Sequence, residues 1–199
     1  MSHYYVNDPN LKEEKRSFDY CFCGEHFTFT SDNGVFSKDN IDYGSYLLLK
    51  YTYQNDPGES VLDLGCGYGP IGIIMKRFHP HSGVIAVDVN ERAVELTKIN
   101  AQQNAAEIST YITDDISTLN KTYNTILLNP PIRAGKAVIY DLYDKAFNAL
   151  LGDGVLYVVI RRQHGAESSI KKLKELFNEV EVLRKEAGYW ILRASKSES

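Results

Sequence analysis

Hydrophobic positions along this chain change period, and each change marks a predicted element. Phe18, Tyr20 and Phe22, then Phe27 and Phe29 beyond Gly24-Glu25, alternate with other residues. A period of two about a glycine-containing turn predicts a β-hairpin. The same alternation puts Cys21 and Cys23 on one strand face. Leu47, Leu48 and Tyr51 then recur at helical spacing, which predicts a helix over 41–53. From Ser60 onward, short apolar runs alternate with amphipathic stretches. Strands are expected at 61–64, 84–89, 110–113, 124–128 and 156–160. Helices are expected at 70–78, 91–104, 136–151 and 166–177, with Pro70 suited to a first turn and Asn90 to an N-cap. Gly152-Asp153-Gly154 reads as a turn, and 179–184 with 189–193 reads as a closing strand pair about Gly188.

Strands and helices in alternation imply an α/β fold with a mainly parallel sheet covered on both faces. The closing pair adds one antiparallel strand at the sheet's edge. Residues 1–59 read as an N-terminal hairpin and helix packed on a main domain, 60–199, within one structural unit.

Composition narrows the class. Apolar residues are 43% and charged residues 24%, the mixture of an ordinary folded domain. No apolar run approaches the ~20 residues of a membrane span, and 1–10 lack an apolar targeting core. A cytoplasmic, membrane-free protein is expected, with a monomer as the simplest state. The net charge of −4 lacks the basic excess of an autonomous nucleic-acid binder. Three irregularly spaced cysteines do not make a disulfide framework, so reduced thiols are expected. His79 and His81 share a loop, and two histidines alone do not hold a metal; none is expected.

The chemistry concentrates in Asp63-Leu64-Gly65-Cys66-Gly67-Tyr68-Gly69-Pro70, which follows a predicted strand and opens a predicted helix. Glycines let the backbone turn sharply and let a ligand approach where a Cβ would stand. The spacing Gly-x-Gly-x-Gly differs from the dinucleotide pattern. A carboxylate at Asp63 would repel a pyrophosphate but favours a ligand bearing an ammonium and a sulfonium. Asp88 ends the next strand, nineteen residues beyond Gly69. That offset suits an acid accepting hydrogen bonds from ribose hydroxyls. Asp114 and Asp115 follow the third strand, where one of them can accept from an adenine amino group. Cys66 and Tyr68, in the variable loop positions, read as packing residues.

Asn129-Pro130-Pro131-Ile132 ends a later strand. Two prolines fix φ and remove two backbone donors. What remains is rich in acceptors: the Asn129 side-chain oxygen and the Pro130 carbonyl. That corner suits an NH₂ group whose lone pair is delocalised into a base or an amide.

These motifs, with Gly34-Val35-Phe36-Ser37, Ile41-Asp42-Tyr43-Gly44-Ser45, Asp88-Val89-Asn90 and Arg133-Ala134-Gly135-Lys136, resemble the class I methyltransferases with an Asn-Pro-Pro catalytic motif. The resemblance is nearest to the small methyltransferase domain of the ribosomal RNA small-subunit guanine-N2 methyltransferase C family. It implies a Rossmann-like, seven-stranded sheet, S-adenosyl-L-methionine as cofactor, and methylation of a guanine exocyclic amine in ribosomal RNA, free or within an assembling subunit. By that match Asp63, Gly65, Cys66, Gly67, Gly69, Asp88, Val89, Asp115, Ile116 and Asn129 line the cofactor, and Phe36, Ser37 and Gly44 belong to a segment closing over it. Asn129, Pro130, Pro131 and Ile132 form the catalytic motif. Ile132 departs from the family, whose fourth residue is usually an aromatic that stacks on the base, a contact worth ~1–3 kcal/mol. The chain also lacks the length for the degenerate domain that longer members carry. Arg133, Lys136, Arg161, Arg162 and Lys171 are candidates for a local basic rim. The same motifs leave open methylation of a protein glutamine amide or of adenine N6, a non-catalytic cofactor-binding partner subunit, and a nicotinamide-dependent reductase.

Overall fold

The computed structural model describes residues 14–33 and 40–197. Strands β1 (Arg16–Phe22) and β2 (Glu25–Ser31) pair antiparallel, with Phe18 opposite Phe29 and Tyr20 opposite Phe27. The turn is Cys23-Gly24, one residue earlier than the pattern suggests, with φ of 48° and 85°. A two-residue turn with both φ positive matches the twist of its strands. Cys23 therefore leaves the strand face that carries Cys21, and both are exposed free thiols.

The chain continues through α1 (Tyr43–Thr52), β3 (Ser60–Leu64), α2 (Pro70–Phe78), β4 (Gly83–Asp88), α3 (Glu91–Gln103) and β5 (Ile108–Ile112). After these come β6 (Tyr123–Leu128), α4 (Lys136–Ala149), β7 (Leu150–Arg161), α5 (Ala166–Leu176), β8 (Glu179–Glu186) and β9 (Tyr189–Ser195). Among the described residues, seven strands form one sheet in the order β5-β4-β3-β6-β7-β9-β8. The single antiparallel strand is β9, which enters between β7 and β8, one strand in from the margin. The β8–β9 turn repeats the hairpin solution, with Ala187 at φ 49° and Gly188 at φ 80°.

Gly152-Asp153-Gly154 does not end an element. Tyr123 pairs with Leu150 and Thr125 with Val155, so β7 advances five residues while β6 advances two. The surplus bulges, and the ladder resumes beyond it. Pairing on both sides overrides the local turn preference of the glycines.

Alternation along the buried strands sorts side chains to two faces. Val61, Val84 and Leu127 join Leu47, Leu96 and the hairpin's Phe22, Phe27 and Phe29 beneath α1, α2 and α3. Leu62, Leu64, Ile126 and Leu128 join Ile139, Tyr143 and Leu173 beneath α4 and α5. Two asparagines one helical turn apart, Asn100 on α3 and Asn104 at its C-cap, tie the hairpin to this body. Asn100 accepts from the Thr30 amide at 2.7 Å and donates to the Thr30 carbonyl at 2.9 Å and the Tyr68 carbonyl at 2.8 Å. Asn104 accepts from the Thr28 amide at 3.0 Å and donates to its carbonyl at 2.8 Å. No helix among the described residues is long and apolar enough to cross a membrane.

Candidate active site at the carboxyl edge of the sheet

Register fixes the site. Leu64 pairs with Val87 on one side and Leu128 on the other. The next residues, Gly65, Asp88 and Asn129, therefore leave three adjacent strands at one level. With ~4.8 Å between strands, Asp88 and Asn129 flank the loop roughly 10 Å apart. From β3 the chain runs outward through β4 and β5, then returns to place β6 on the opposite side. Open α/β sheets bind ligands at such a switch point.

The glycine loop folds back on β4, where the Val87 carbonyl accepts from both the Gly65 and Cys66 amides at 2.9 Å. Its glycines serve different ends. Gly65 has φ +75°, and a Cβ there would meet nothing within 4 Å, so this side of the loop is open. Gly69 has φ +99°, and a Cβ there would lie 2.9 Å from the Thr97 methyl and 3.0 Å from Ile73, so close packing excludes one. Gly67 donates its amide to Asp88 Oδ2 at 2.9 Å, and its carbonyl accepts from the Thr97 hydroxyl at 2.8 Å. Asp88 is buried, and its Oδ1 accepts from the Asn90 amide at 2.9 Å. The Cys66 thiol is buried 3.6 Å from Thr97 Oγ1. Burial raises its pKa, as do the charges of Asp88 and Asp63, so it packs as a neutral group.

Asp63 lies deeper, 1% exposed, with Oδ2 accepting the Gly72 amide at 2.8 Å in the first turn of α2. Loss of solvation pushes its carboxyl up to about 7, and the nearby Asp88 charge adds to this against the Gly72 hydrogen bond. Asp115 is exposed and caps a 3-10 turn over Ile116–Leu119, its Oδ1 accepting from the Ser117 amide and hydroxyl. Those two hydrogen bonds hold its carboxyl below the usual range. Ile116 is buried under that turn, Val89 is half-buried beyond Asp88, and Asp114 is exposed.

Asn129 is half-buried, Pro130 buried, and Pro131 and Ile132 half-buried where the chain enters a 3-10 turn, Ile132–Ala134. The Asn129 amide is held from above by the start of α1. Its Nδ2 donates to Asp42 Oδ2 at 2.8 Å and to Ser45 Oγ at 2.9 Å. Asp42 is the N-cap of α1, and the same Oδ2 accepts the Ser45 amide at 3.0 Å. Gly44 is buried against this carboxylate: a Cβ there would stand 2.9 Å from Asp42 Oδ2 and 3.1 Å from the Tyr189 ring. The segment 41–45 thus reaches Asn129, while Phe36 and Ser37, with Gly34 and Val35, lie outside the described residues.

The basic candidates divide. Arg161, stacked 4.7 Å from the Tyr189 ring centre, and Arg162 line an open cavity of about 700 Å³ with Gln163 and Gly188. Lys136 and Ile132 line a smaller cleft of about 110 Å³ with Tyr140 and His164, and Gly165 and Ser168 border both spaces. Arg133 and Lys171 are exposed and line neither. Among the described residues, no group of three or more His, Cys, Asp or Glu is placed to hold a metal. Sequence reasoning missed the contacts of Asp42 and Ser45 with Asn129 and the placement of Thr97 under the loop. The Asp42-x-x-Ser45 spacing signals a helix cap and nothing about Asn129.

Residues 26–193 match the model of the methyltransferase small domain. The chain belongs to the methyltransferase small domain family. It is 43% identical to the uncharacterized protein YbxB of Bacillus subtilis, over 98% of each chain. It is 34% identical to ribosomal RNA small subunit methyltransferase C of Photobacterium profundum, over 77% of this chain and 46% of that one. A solved structure of the T. Thermophilus 16S rRNA N2 methyltransferase RsmC, in complex with AdoMet and guanosine, superposes with a TM-score of 0.82 at 28% identity. That superposition covers 95% of this chain and 52% of the other. The chain thus spans about half the length of these two ribosomal RNA methyltransferases. As a member of the small domain family it is a methyltransferase, and its Rossmann-like sheet is the one the motifs imply.

Proposed function

We propose that this protein methylates the exocyclic N2 amine of a guanine in small-subunit ribosomal RNA, with S-adenosylmethionine as methyl donor. The observation that carries the proposal is the level placement of Gly65, Asp88 and Asn129 on three neighbouring strands, with Asn129-Pro130-Pro131 beside the open side of the glycine loop. The structural relative that holds AdoMet and guanosine together supports the pairing of donor and acceptor.

The residues fit the donor. Gly65 leaves space over the loop, and buried Asp88 stands beside it to accept from ribose hydroxyls. Asp115 stands at the rim for the adenine end, and Asp63 places a carboxyl beneath the loop. When bound, S-adenosylmethionine supplies an electrophilic methyl group on a cationic sulfur. Asn129 Oδ1 and the Pro130 carbonyl accept the two hydrogens of the acceptor amine. This turns the nitrogen lone pair out of conjugation and towards the methyl group. Positioning of this kind is the main source of rate, since a methyl transfer in line needs orientation more than proton transfer. Delocalisation makes the protonated product a strong acid, which gives its proton to solvent. Lys136, Arg161 and Arg162, on the β7 side of the motif, supply local positive charge for RNA phosphates on a chain that is acidic overall.

The test is transfer of a radiolabelled methyl group to ribosomal RNA, naked and assembled, from cells lacking this protein. Label in N2-methylguanine of the small-subunit RNA is expected. Label confined to protein would overturn the RNA assignment. Asn129→Ala should abolish transfer while calorimetry shows cofactor affinity retained; lost affinity with residual turnover would give Asn129 another role.

A further inference from the structure

We infer that Asp42 and Ser45 are positioning residues that fix which way the Asn129 amide faces, and so present its oxygen to the substrate amine. The inference rests on the proposed methyl transfer at Asn129.

A primary amide carries two N–H donors on one side and one acceptor on the other, and the two orientations have nearly the same shape. Catalysis at Asn129 needs the oxygen outward, because the substrate NH₂ only donates there. Proline on the C-terminal side stiffens the backbone but does not choose between the orientations. The start of α1 does. Asp42 Oδ2 stands 2.8 Å and Ser45 Oγ 2.9 Å from Asn129 Nδ2. A carboxylate accepts and never donates. In the flipped amide two acceptor oxygens would face each other at that distance, one of them charged. The hydroxyl alone could serve either orientation, so Asp42 makes the choice and Ser45 takes the second hydrogen.

The arrangement is closed and built. Asp42 Oδ2 also accepts the Ser45 amide as the cap of α1, so the carboxylate cannot turn away without uncapping the helix. Gly44 leaves the space this oxygen occupies; a methyl group would stand 2.9 Å from it. The contacts join residues 87 and 84 positions apart.

A charge-assisted hydrogen bond is stronger than a neutral one and polarises the amide that donates it. Electron density moves towards Asn129 Oδ1. That oxygen becomes a better acceptor as the amine nitrogen gains positive charge during methyl transfer. The effect is largest in the transition state and belongs to kcat.

The decisive variant is Asp42→Ser, which keeps a good helix cap but has neither the reach nor the charge to hold Asn129. Its melting temperature and its Kd for S-adenosylmethionine should stay close to wild type. Its kcat for ribosomal RNA should fall about tenfold to a hundredfold, as loss of a hydrogen bond to a charged group predicts, with KM changing less. Asp42→Asn, which caps equally well and can still accept, should recover part of the loss. A readout free of cofactor is the ¹⁵N-labelled side-chain NH₂ of Asn129, identified by its disappearance in Asn129→Ala. In the wild-type apoprotein both protons should exchange slowly and lie downfield, and in Asp42→Ser the proton that faced Asp42 should return to a free-amide value.

If Asn129→Ala retains the wild-type rate, the methyl-transfer reading fails, and the positioning role falls with it. If Asn129→Ala is inactive while Asp42→Ser turns over normally, the positioning role alone is overturned. A slowed Asp42→Ser enzyme with an unmoved Asn129 amide signal overturns it too. Should Asp42→Ser not fold, Asp42→Asn carries both measurements, with a reduced kcat and a shifted amide signal expected.

Discussion

Two carboxylates lie at the ends of neighbouring strands, Asp88 as the last residue of β4 and Asp63 one before the last of β3, yet they hold different parts of the site. Asp88 holds the Gly67 amide at the loop's rim, and Asp63 holds the Gly72 amide beneath it. Loss of solvation pushes the Asp63 carboxyl up to about 7, against an unfolded value near 3.9. Between those values the folded chain binds a proton that the unfolded chain has released. Stability of the ligand-free protein should therefore fall as pH rises from about 4 to about 7 and level off above. Asp63→Asn keeps an acceptor for the Gly72 amide and removes the charge, so it should flatten this slope. Urea denaturation of both proteins at pH 5 and pH 8 checks it: the variant should gain on wild type at the higher pH.

The glycines separate in the same manner. Gly69→Ala should cost roughly 2–4 kcal/mol, because a left-handed residue is strained and its methyl group would overpack Thr97 and Ile73. Gly65→Ala meets no neighbour, so it should cost only the backbone strain of ~1–2 kcal/mol. Its methyl group instead enters the proposed ligand space, and a weaker Kd for S-adenosylhomocysteine is the outcome to measure. Gly65, Asp88 and Asn129 were legible in the sequence because strand, loop and helix follow one another locally, and the position after a strand is a position at the sheet's edge. The hold of Asp42 on Asn129 was not, since nothing local to residue 42 says which strand end the helix cap will meet.

At the scale of elements, the strands and helices of the main sheet follow the periodicity closely, with Pro70–Phe78 matching its expected bounds. Agreement is best where one signal acts alone: a proline start, an asparagine cap, an apolar strand. It fails where tertiary pairing competes with local preference. The two glycines at 152 and 154 favour a turn, and the ladder between β6 and β7 absorbs them as a bulge. The position of β9 could not be read from its own residues, because a hairpin fixes only that two strands are neighbours, not which of them meets β7. The sheet's layering carries its own expectation. β3 and β6 are buried on both faces at its centre, whereas β5 and β8 are largely exposed at its margins. Hydrogen exchange should find the amides of β3 and β6 among the slowest, and those of β5 and β8 among the fastest strand amides.

For the whole molecule, the proposed donor site makes stability depend on ligand. Anything that binds only the folded state stabilises by mass action, about 2.7 kcal/mol at a hundred times Kd. For a chain of this size that is a rise in Tm of roughly 5–10 °C. S-adenosylhomocysteine should produce such a rise in a thermal scan and NAD should not; the reverse preference would remove the methyl-donor reading. The acidic net charge of −4 sets a second expectation of the whole surface: affinity for naked RNA should be modest and should weaken further with salt.

The asparagine pair at the C-terminal end of α3 has a consequence beyond the site. A β-ribbon presents amides and carbonyls along its free side, and such a side recruits strands from other copies. Asn100 and Asn104 occupy those groups at Thr28 and Thr30 with side chains, so that the helix impersonates a neighbouring strand. Replacing both asparagines with leucine would bare the ribbon, and sedimentation at rising concentration should then reveal more self-association than in the parent protein.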